Sequence, residues 1–216
     1  MNEKKERVTP VYYPKTEELF SAISHGLGTL FGVFALGYML ALSIQSGRGT
    51  NIIAAAIYGS SLILAYAFST LSHALTPRPA KQVFRILEHG SIFLLIAGTY
   101  TPVTLLVIKG ALGWTIFGIQ WGIAILGILA NALALNKFKK LSLIIYIAMG
   151  WLIIIAAYPL LRQMAPGDFL YLLSGGIFYT IGAIFYRLNR PGSHAIWHIF
   201  ALMGSILQFS AIQAYL

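Results

Sequence analysis

The sequence predicts an all-α integral membrane protein: a bundle of seven transmembrane helices with a cytoplasmic N-terminus and a C-terminus outside. Of the 216 residues, 58% are apolar and 10% are charged, whereas about 25% of the residues in a soluble domain are charged. The charges form short clusters between long apolar stretches, and these stretches lack the alternation typical of a membrane β-barrel. Because a soluble fold of this length could not bury so much apolar surface, we expect lipid to be the solvent.

The apolar stretches give the predicted elements in order. Residues 1–18 are predicted to form a cytoplasmic N-terminal tail, and residues 19–216 to form the seven-helix transmembrane domain. Thr16 is predicted to cap the first helix, and Pro102 predicts a kink in the third. Seven stretches come close to the ~20 residues that a spanning helix needs: Leu19–Gln45, Asn51–His73, His89–Ile108, Ala111–Asn136, Leu141–Leu161, Phe169–Tyr186 and Pro191–Leu216.

The basic residues of the loops set the predicted orientation. Twelve of the 15 lysines and arginines lie in the N-terminal tail or in the loops after the second, fourth and sixth stretches. The other three, Arg48, Lys109 and Arg162, lie on the opposite side. Because Lys-rich and Arg-rich loops stay in the cytoplasm, the N-terminus is predicted there, in a multi-pass protein of the cell membrane.

Net charge and cysteine content exclude further classes. The net charge of +9 raises the alternative of a nucleic-acid partner. The basic residues are spread over four short segments, however, as the orientation rule predicts, so we expect no nucleic-acid partner. The absence of cysteine excludes thiolate metal sites, cysteine nucleophiles and redox switching.

Five histidines carry the predicted chemistry. On the predicted topology all of them fall in the leaflet next to the cytoplasm. Histidines within membrane spans are usually functional, because an unpaired polar group in lipid is costly. The five are His25, His73, His89, His194 and His198.

The spacing of three histidines predicts a metal site. His194 and His198 are four residues apart, so both imidazoles face one side of a helix, as in helical zinc motifs. His73, four residues after Ser69, is the candidate third ligand; three nitrogens and a water are the ligands of a catalytic zinc. Three histidines also suit copper, iron or nickel. The alternative is a set of hydrogen-bonded interfacial histidines.

Glu88 is the candidate general base. It is the only carboxylate between Leu19 and Gly167, and it stands among the histidines at the mouth of the third span. A nearby carboxylate could balance the charge of a divalent ion, orient a water and accept its proton. The alternative is an interfacial glutamate that pairs with Arg85.

Four segments carry a resemblance to a known family. They are ELFSAISHGLG from Glu18, STLSH from Ser69, ILEHGSIFLLIAGTYTP from Ile86 and SHAIWHIF from Ser193. In this order they resemble the bacterial hemolysin III family. That family is related to the progestin and adipoQ receptors, which include the adiponectin receptors, and more distantly to alkaline ceramidases.

The resemblance implies a seven-helix protein with a zinc ion near the cytoplasmic face. The implied ligands are His73, His194 and His198, and Ser69 would support the site. Glu88 stands where the family has an aspartate, so direct ligation and contact through water both stay open. His25 and His89 match family positions and are candidates for the second shell or the cavity wall.

Several functions stay open at this point. The first hypothesis is a zinc-dependent hydrolase of a lipid amide or ester, which the resemblance to ceramidases favours; a membrane lipid is then the expected partner. The second is a receptor or membrane-homeostasis sensor with a structural zinc. Cytolysis by pore formation is poorly supported, because a secreted pore former needs a soluble form. Haem binding is disfavoured, because all five histidines fall in one leaflet. The oligomeric state is not predicted.

Overall fold

The structure, a computed structural model, describes residues 13–188 and 190–216. The secondary structure of these residues is entirely helical. The helices are α1 Lys15–Ser46, α2 Gly49–Ala74, α3 Arg78–Pro102, α4 Gly110–Trp151, α5 Ala157–Gln163, α6 Pro166–Leu188 and α7 Ser193–Ile212. A π-helical segment, Val103–Ile108, joins α3 to α4, and 3₁₀ segments, Leu152–Ala156 and Gln213–Tyr215, follow α4 and α7.

Six helical runs within the described residues are long and apolar enough to cross a membrane. The prediction of an all-α, multi-pass membrane protein is confirmed at this level. Helix length and composition give six spans, however, and not the seven predicted. The difference arises because the predicted fourth and fifth stretches fall in one run of 54 residues, Gly110–Gln163.

This long run folds back on itself near its middle. Within α4, Ala134 has a non-helical backbone (φ −158°, ψ 61°). Gln120 Nε2 donates a hydrogen bond to the carbonyl of Met149 at 2.8 Å, although 29 residues separate them. A straight helix would place these two residues about 43 Å apart. Ser142 donates to Asn131 at 2.9 Å, so the two arms of α4 run antiparallel on either side of Ala134.

Two helices begin earlier than the apolar stretches indicate. α1 starts at Lys15, and Glu17 and Glu18 lie in its first turn, as a cap at Thr16 also predicted, although the apolar stretch begins only at Leu19. The predicted cap at Thr16 is wrong, because the helix begins after Pro14 without a side-chain cap. Most of the predicted tail lies outside the described residues.

α3 likewise extends toward its N-terminus. It starts at Arg78, so the basic residues Lys81 and Arg85, assigned to a loop, lie on a helix and are buried. A proline in the first turn suits this start, since its missing N–H has no helical partner there. At the other end, Pro102 marks the change from α-helical to π-helical geometry.

Close helix contacts hold the bundle around the histidines. A Cβ atom on Gly32 of α1 would lie 3.1 Å from the backbone nitrogen of Ile63 in α2, so these two helices approach at backbone distance. The Tyr66 hydroxyl of α2 lies 2.6 Å from Ser205 Oγ of α7, and Tyr179 of α6 lies 2.5 Å from the same oxygen. These bonds tie α2, α6 and α7 together.

Candidate metal centre

The candidate site is built where helix ends meet. His73 lies in the last turn of α2, and His194 and His198 lie in the first two turns of α7. Glu88 lies in the third turn of α3. We call this the site end of the bundle. All four residues are buried, with exposed fractions between 0% and 7%.

The Nε2 atoms of the three histidines converge. His194 Nε2 lies 3.1 Å from His73 Nε2 and 3.0 Å from His198 Nε2. Nitrogens bound to one tetrahedral zinc ion would lie about 3.4 Å apart, given Zn–N bonds of about 2.0–2.1 Å. With Glu88 these residues form a group whose potential ligand atoms all lie within 4.8 Å of one another. The donor set fits a metal ion, and the cluster could hold one.

Two serines of α2 hold the Glu88 carboxylate. Ser69 donates to Oε1 at 2.7 Å, and Ser72 donates to Oε2 at 2.8 Å. Oε1 lies 3.5 Å from His73 Nε2. The described partners of Glu88 are thus on α2, inside the bundle, which departs from the alternative of an interfacial glutamate paired with Arg85.

Glu18 fixes the orientation of His73. His73 Nδ1 lies 2.7 Å from Glu18 Oε2, and Lys81 Nζ donates to Glu18 Oε1 at 2.9 Å. Because a carboxylate accepts hydrogen bonds, Nδ1 carries a proton, and in the neutral imidazole that a metal requires Nε2 has the lone pair that faces the other histidines. A carboxylate behind a ligating histidine is a common feature of metal sites.

Ring stacking packs the other two imidazoles in place. Among the described residues, Nδ1 of His194 and of His198 has no hydrogen-bond partner. The Tyr13 ring stacks on His194 at a centroid distance of 4.6 Å, and the His25 ring stacks on His198 at 3.6 Å. Burial raises the pKa of the Tyr13 phenol, against the opposing charge of Arg85, so this ring stays neutral.

His25 and His89 lie near the cluster but are not members of the four-residue group. His89 Nδ1 lies 2.9 Å from the Arg85 carbonyl, which can only accept. His89 Nε2 is then the acceptor for the Tyr186 hydroxyl at 3.1 Å. His89 thus links α3 to α6, whereas His25 lines a cavity beside the cluster.

That cavity of about 140 Å³ adjoins the cluster. His25, Ser69 and Glu88 lie at its polar end, and most of its remaining lining is aliphatic or aromatic. A second cavity of about 100 Å³ adjoins the first and shares six lining residues with it: Thr99, Tyr100, Gly150, Trp151, Gly176 and Gln208. Together the two cavities form a largely apolar path that leads from the cluster into the bundle.

Comparison with known proteins identifies the family. The profile of a family described as Haemolysin-III related matches residues 13–209, which is most of the chain and includes every residue of the cluster. The chain belongs to this family. The resemblance noted in the sequence is thereby confirmed.

Relatives of this haemolysin-III-related chain include bacterial and animal proteins. It is 41% identical over 216 residues to Hemolysin-3 of Bacillus cereus, covering 100% of this chain and 97% of that protein. It is 40% identical over 200 residues to the Hemolysin-3 homolog of Bacillus subtilis (strain 168), covering 92% and 94%. It is 28% identical over 172 residues to the human Monocyte to macrophage differentiation factor, covering 76% and 71%. No solved structure matches the chain.

Sequence reasoning missed two residues of this haemolysin-III-related site. Glu18 was assigned to the tail, although it lies seven residues before His25 and so shares a helix face with it. Ser72 was not considered, although it lies three residues after Ser69 and on the same face. In both cases helical spacing was the available signal.

Proposed function

We propose that this protein is a zinc-dependent hydrolase of a lipid amide or ester in the cell membrane. One observation carries the proposal: three histidine Nε2 atoms converge beside a buried carboxylate at the end of an apolar cavity. His73, His194 and His198 would hold the metal and leave a fourth position open, as in catalytic zinc sites. Zinc bound there would polarise a carbonyl group and make water a stronger nucleophile near neutral pH.

Glu88 is proposed as the general base. Each of its oxygens accepts one serine hydrogen bond, and a carboxylate oxygen has a second acceptor site. That second site can receive the proton of the attacking water. Ser69, with Ser72, would hold the carboxylate in the orientation that this transfer needs.

The cavity supports a lipid as the substrate. Its polar end lies at the metal cluster, and its lining deeper in the bundle is mostly apolar. An acyl chain can occupy the apolar part while the amide or ester group lies against the cluster. The hydrophobic lining would hold the chain without any charged contact.

We also propose that the chain crosses the membrane seven times. A straight run of 54 residues would be about 81 Å long, far more than the ~30 Å of the hydrocarbon core. The fold-back at Ala134 divides this run into two arms, and each arm is long enough to span. With the twelve-to-three distribution of basic residues, seven crossings place the N-terminus in the cytoplasm and the C-terminus outside.

The test is turnover by purified protein with bound zinc, on a panel of lipid amides and esters. Hydrolysis is expected with zinc, and it is expected to fall to background in His194→Ala and Glu88→Gln. Asp168→Asn is the matched control for Glu88→Gln, because Asp168 bonds to Tyr215 at the opposite end of α6 and should leave the rate unchanged. Full zinc occupancy without turnover of any lipid in the panel would refute the proposal, as would an unchanged rate in Glu88→Gln.

A structural metal is the second candidate function. The observation that favours it is that the cluster joins α2, α3 and α7, so a bound ion would cross-link three helices. The melting temperature should then fall on chelation, while the zinc-loaded protein hydrolyses nothing. This pattern would favour a receptor or sensor over an enzyme.

A further inference from the structure

His25 is a buried imidazole on α1, beside the cluster. It is 6% exposed, and neither ring nitrogen has a hydrogen-bond partner among the described residues. Its packing does not require nitrogen. The ring face stacks on His198 at 3.6 Å, and the Tyr66 ring meets it edge-on at 4.9 Å; a phenylalanine ring could make both contacts. Because unpaired buried polar groups destabilise a fold, the presence of a histidine here points to a ligand.

The position of His25 identifies the part of the ligand that it meets. It lines the cavity at the same end as Ser69 and Glu88. It lies on α1, stacks on His198, and does not belong to the group of potential ligands. A lipid whose reactive group lies at the cluster would therefore place its polar head next to this ring.

The charge of the lining bears on that head group. Among the described residues that line the cavity there is no lysine or arginine, and Glu88 is the one acidic residue, so no side-chain cation of this lining pairs with an anionic head group. A neutral imidazole offers one N–H donor and one acceptor, which matches a hydroxyl or an amide group.

We propose that His25 recognises the head group of the substrate. It hydrogen-bonds an uncharged hydroxyl or amide group of a lipid in this cavity. The inference rests on the proposed function only in taking a lipid as the occupant of the cavity. Recognition of the head group by His25 does not require that the lipid be hydrolysed.

The test is a binding measurement on zinc-loaded protein with lipids that cannot be hydrolysed. Trp151 and Trp197 line the cavity, so their fluorescence reports the binding of brominated chains. The probes are a brominated 1-O-alkylglycerol, which has hydroxyls but no amide or ester bond, and the bromoalkane of the same chain length, which has no hydroxyl. The variants are His25→Phe, which keeps the ring, and His25→Gln, which keeps a donor and an acceptor.

The alkylglycerol is expected to bind wild-type protein more tightly than the bromoalkane of the same chain length. His25→Phe should weaken alkylglycerol binding about three- to tenfold, the effect of one hydrogen bond, and leave bromoalkane binding unchanged. His25→Gln should recover most of the loss. The melting temperature of ligand-free His25→Phe should equal or exceed that of the wild type, because the variant replaces an unpaired polar ring.

Several results would overturn the inference. They are an unchanged affinity of His25→Phe for the alkylglycerol, an equal loss for the bromoalkane, or a His25→Phe variant that does not fold. The expected binding pattern in a protein that hydrolyses no lipid would refute the hydrolase proposal and leave this one standing. Lipid hydrolysis that does not change on His25 substitution would refute the role of His25 and leave the hydrolase proposal standing.

Discussion

Neutralising Glu18 should weaken metal binding without changing any of the residues that would ligate the metal. The substitution Glu18→Gln keeps the shape of the side chain and removes its charge. Glu18 accepts from His73 Nδ1 with one oxygen and from Lys81 Nζ with the other. A glutamine has one oxygen and one NH₂ group, so whichever way it turns, a donor faces either the His73 N–H or the Lys81 ammonium. One of the two hydrogen bonds is always lost.

The size of the effect follows from the contact that is lost. The Glu18 carboxylate holds the His73 tautomer that directs Nε2 toward the cluster, and loss of such a contact typically lowers metal affinity about 10- to 100-fold. This corresponds to about 1.4–2.7 kcal/mol of binding free energy. The Kd for zinc should therefore rise by this factor, while His73, His194 and His198 remain in place.

Glu17→Gln is the matched control. Glu17 is the neighbouring residue of the same helix turn, and its carboxylate accepts the N–H of Gly192 at 3.1 Å, a contact that an amide oxygen can keep. The Kd is measured by competition with a chromogenic zinc chelator in detergent, and the metal-free proteins are compared by thermal melting. A Kd for Glu18→Gln within twofold of the wild-type value would refute the reasoning, and so would an equal loss in Glu17→Gln.

Two further predictions concern Glu88 and the fold-back of α4. Ser72→Ala leaves one oxygen of the buried Glu88 carboxylate without its described donor, so we expect the free energy of unfolding to fall by about 1–3 kcal/mol, measured by denaturant titration; no change would show that this bond is dispensable. The chain has no cysteine, so single cysteines can report topology. Thr50→Cys and Lys140→Cys, both at exposed positions, should react with an impermeant maleimide from opposite sides of the membrane, and labelling of both from one side would contradict seven crossings.

The convergence of the histidines could be inferred from the sequence because helices alternate in direction. His73 ends the second apolar stretch, and His194 and His198 begin the seventh, so a count of crossings brings both ends to one face. The four-residue spacing of His194 and His198 then puts two imidazoles on one side of α7. These inferences need only helix geometry, and the structure brings the three side chains together.

The supporting contacts could not be inferred in the same way. Whether Glu18 meets His73, 55 residues away, depends on the rotation of α1 against α2, which no local pattern encodes. The fold-back of α4 was predicted as a loop after the fourth stretch, but its geometry was not. The sequence marks a loop there by Lys137, Lys139 and Lys140, yet only Ala134 departs from helical geometry and the lysines continue the helix.

The predicted membrane orientation depends on which basic residues lie in loops. Lys81 and Arg85 were counted as loop residues, but they are 3% and 4% exposed on α3, and Lys81 bonds to Glu18. Their charges are thus part of the network around the site and carry little information on topology. Without them the count is still ten against three, so the predicted orientation does not depend on the two residues that the sequence misassigned. Labelling of Lys140→Cys from the cytoplasmic side is the outcome that this reduced count requires.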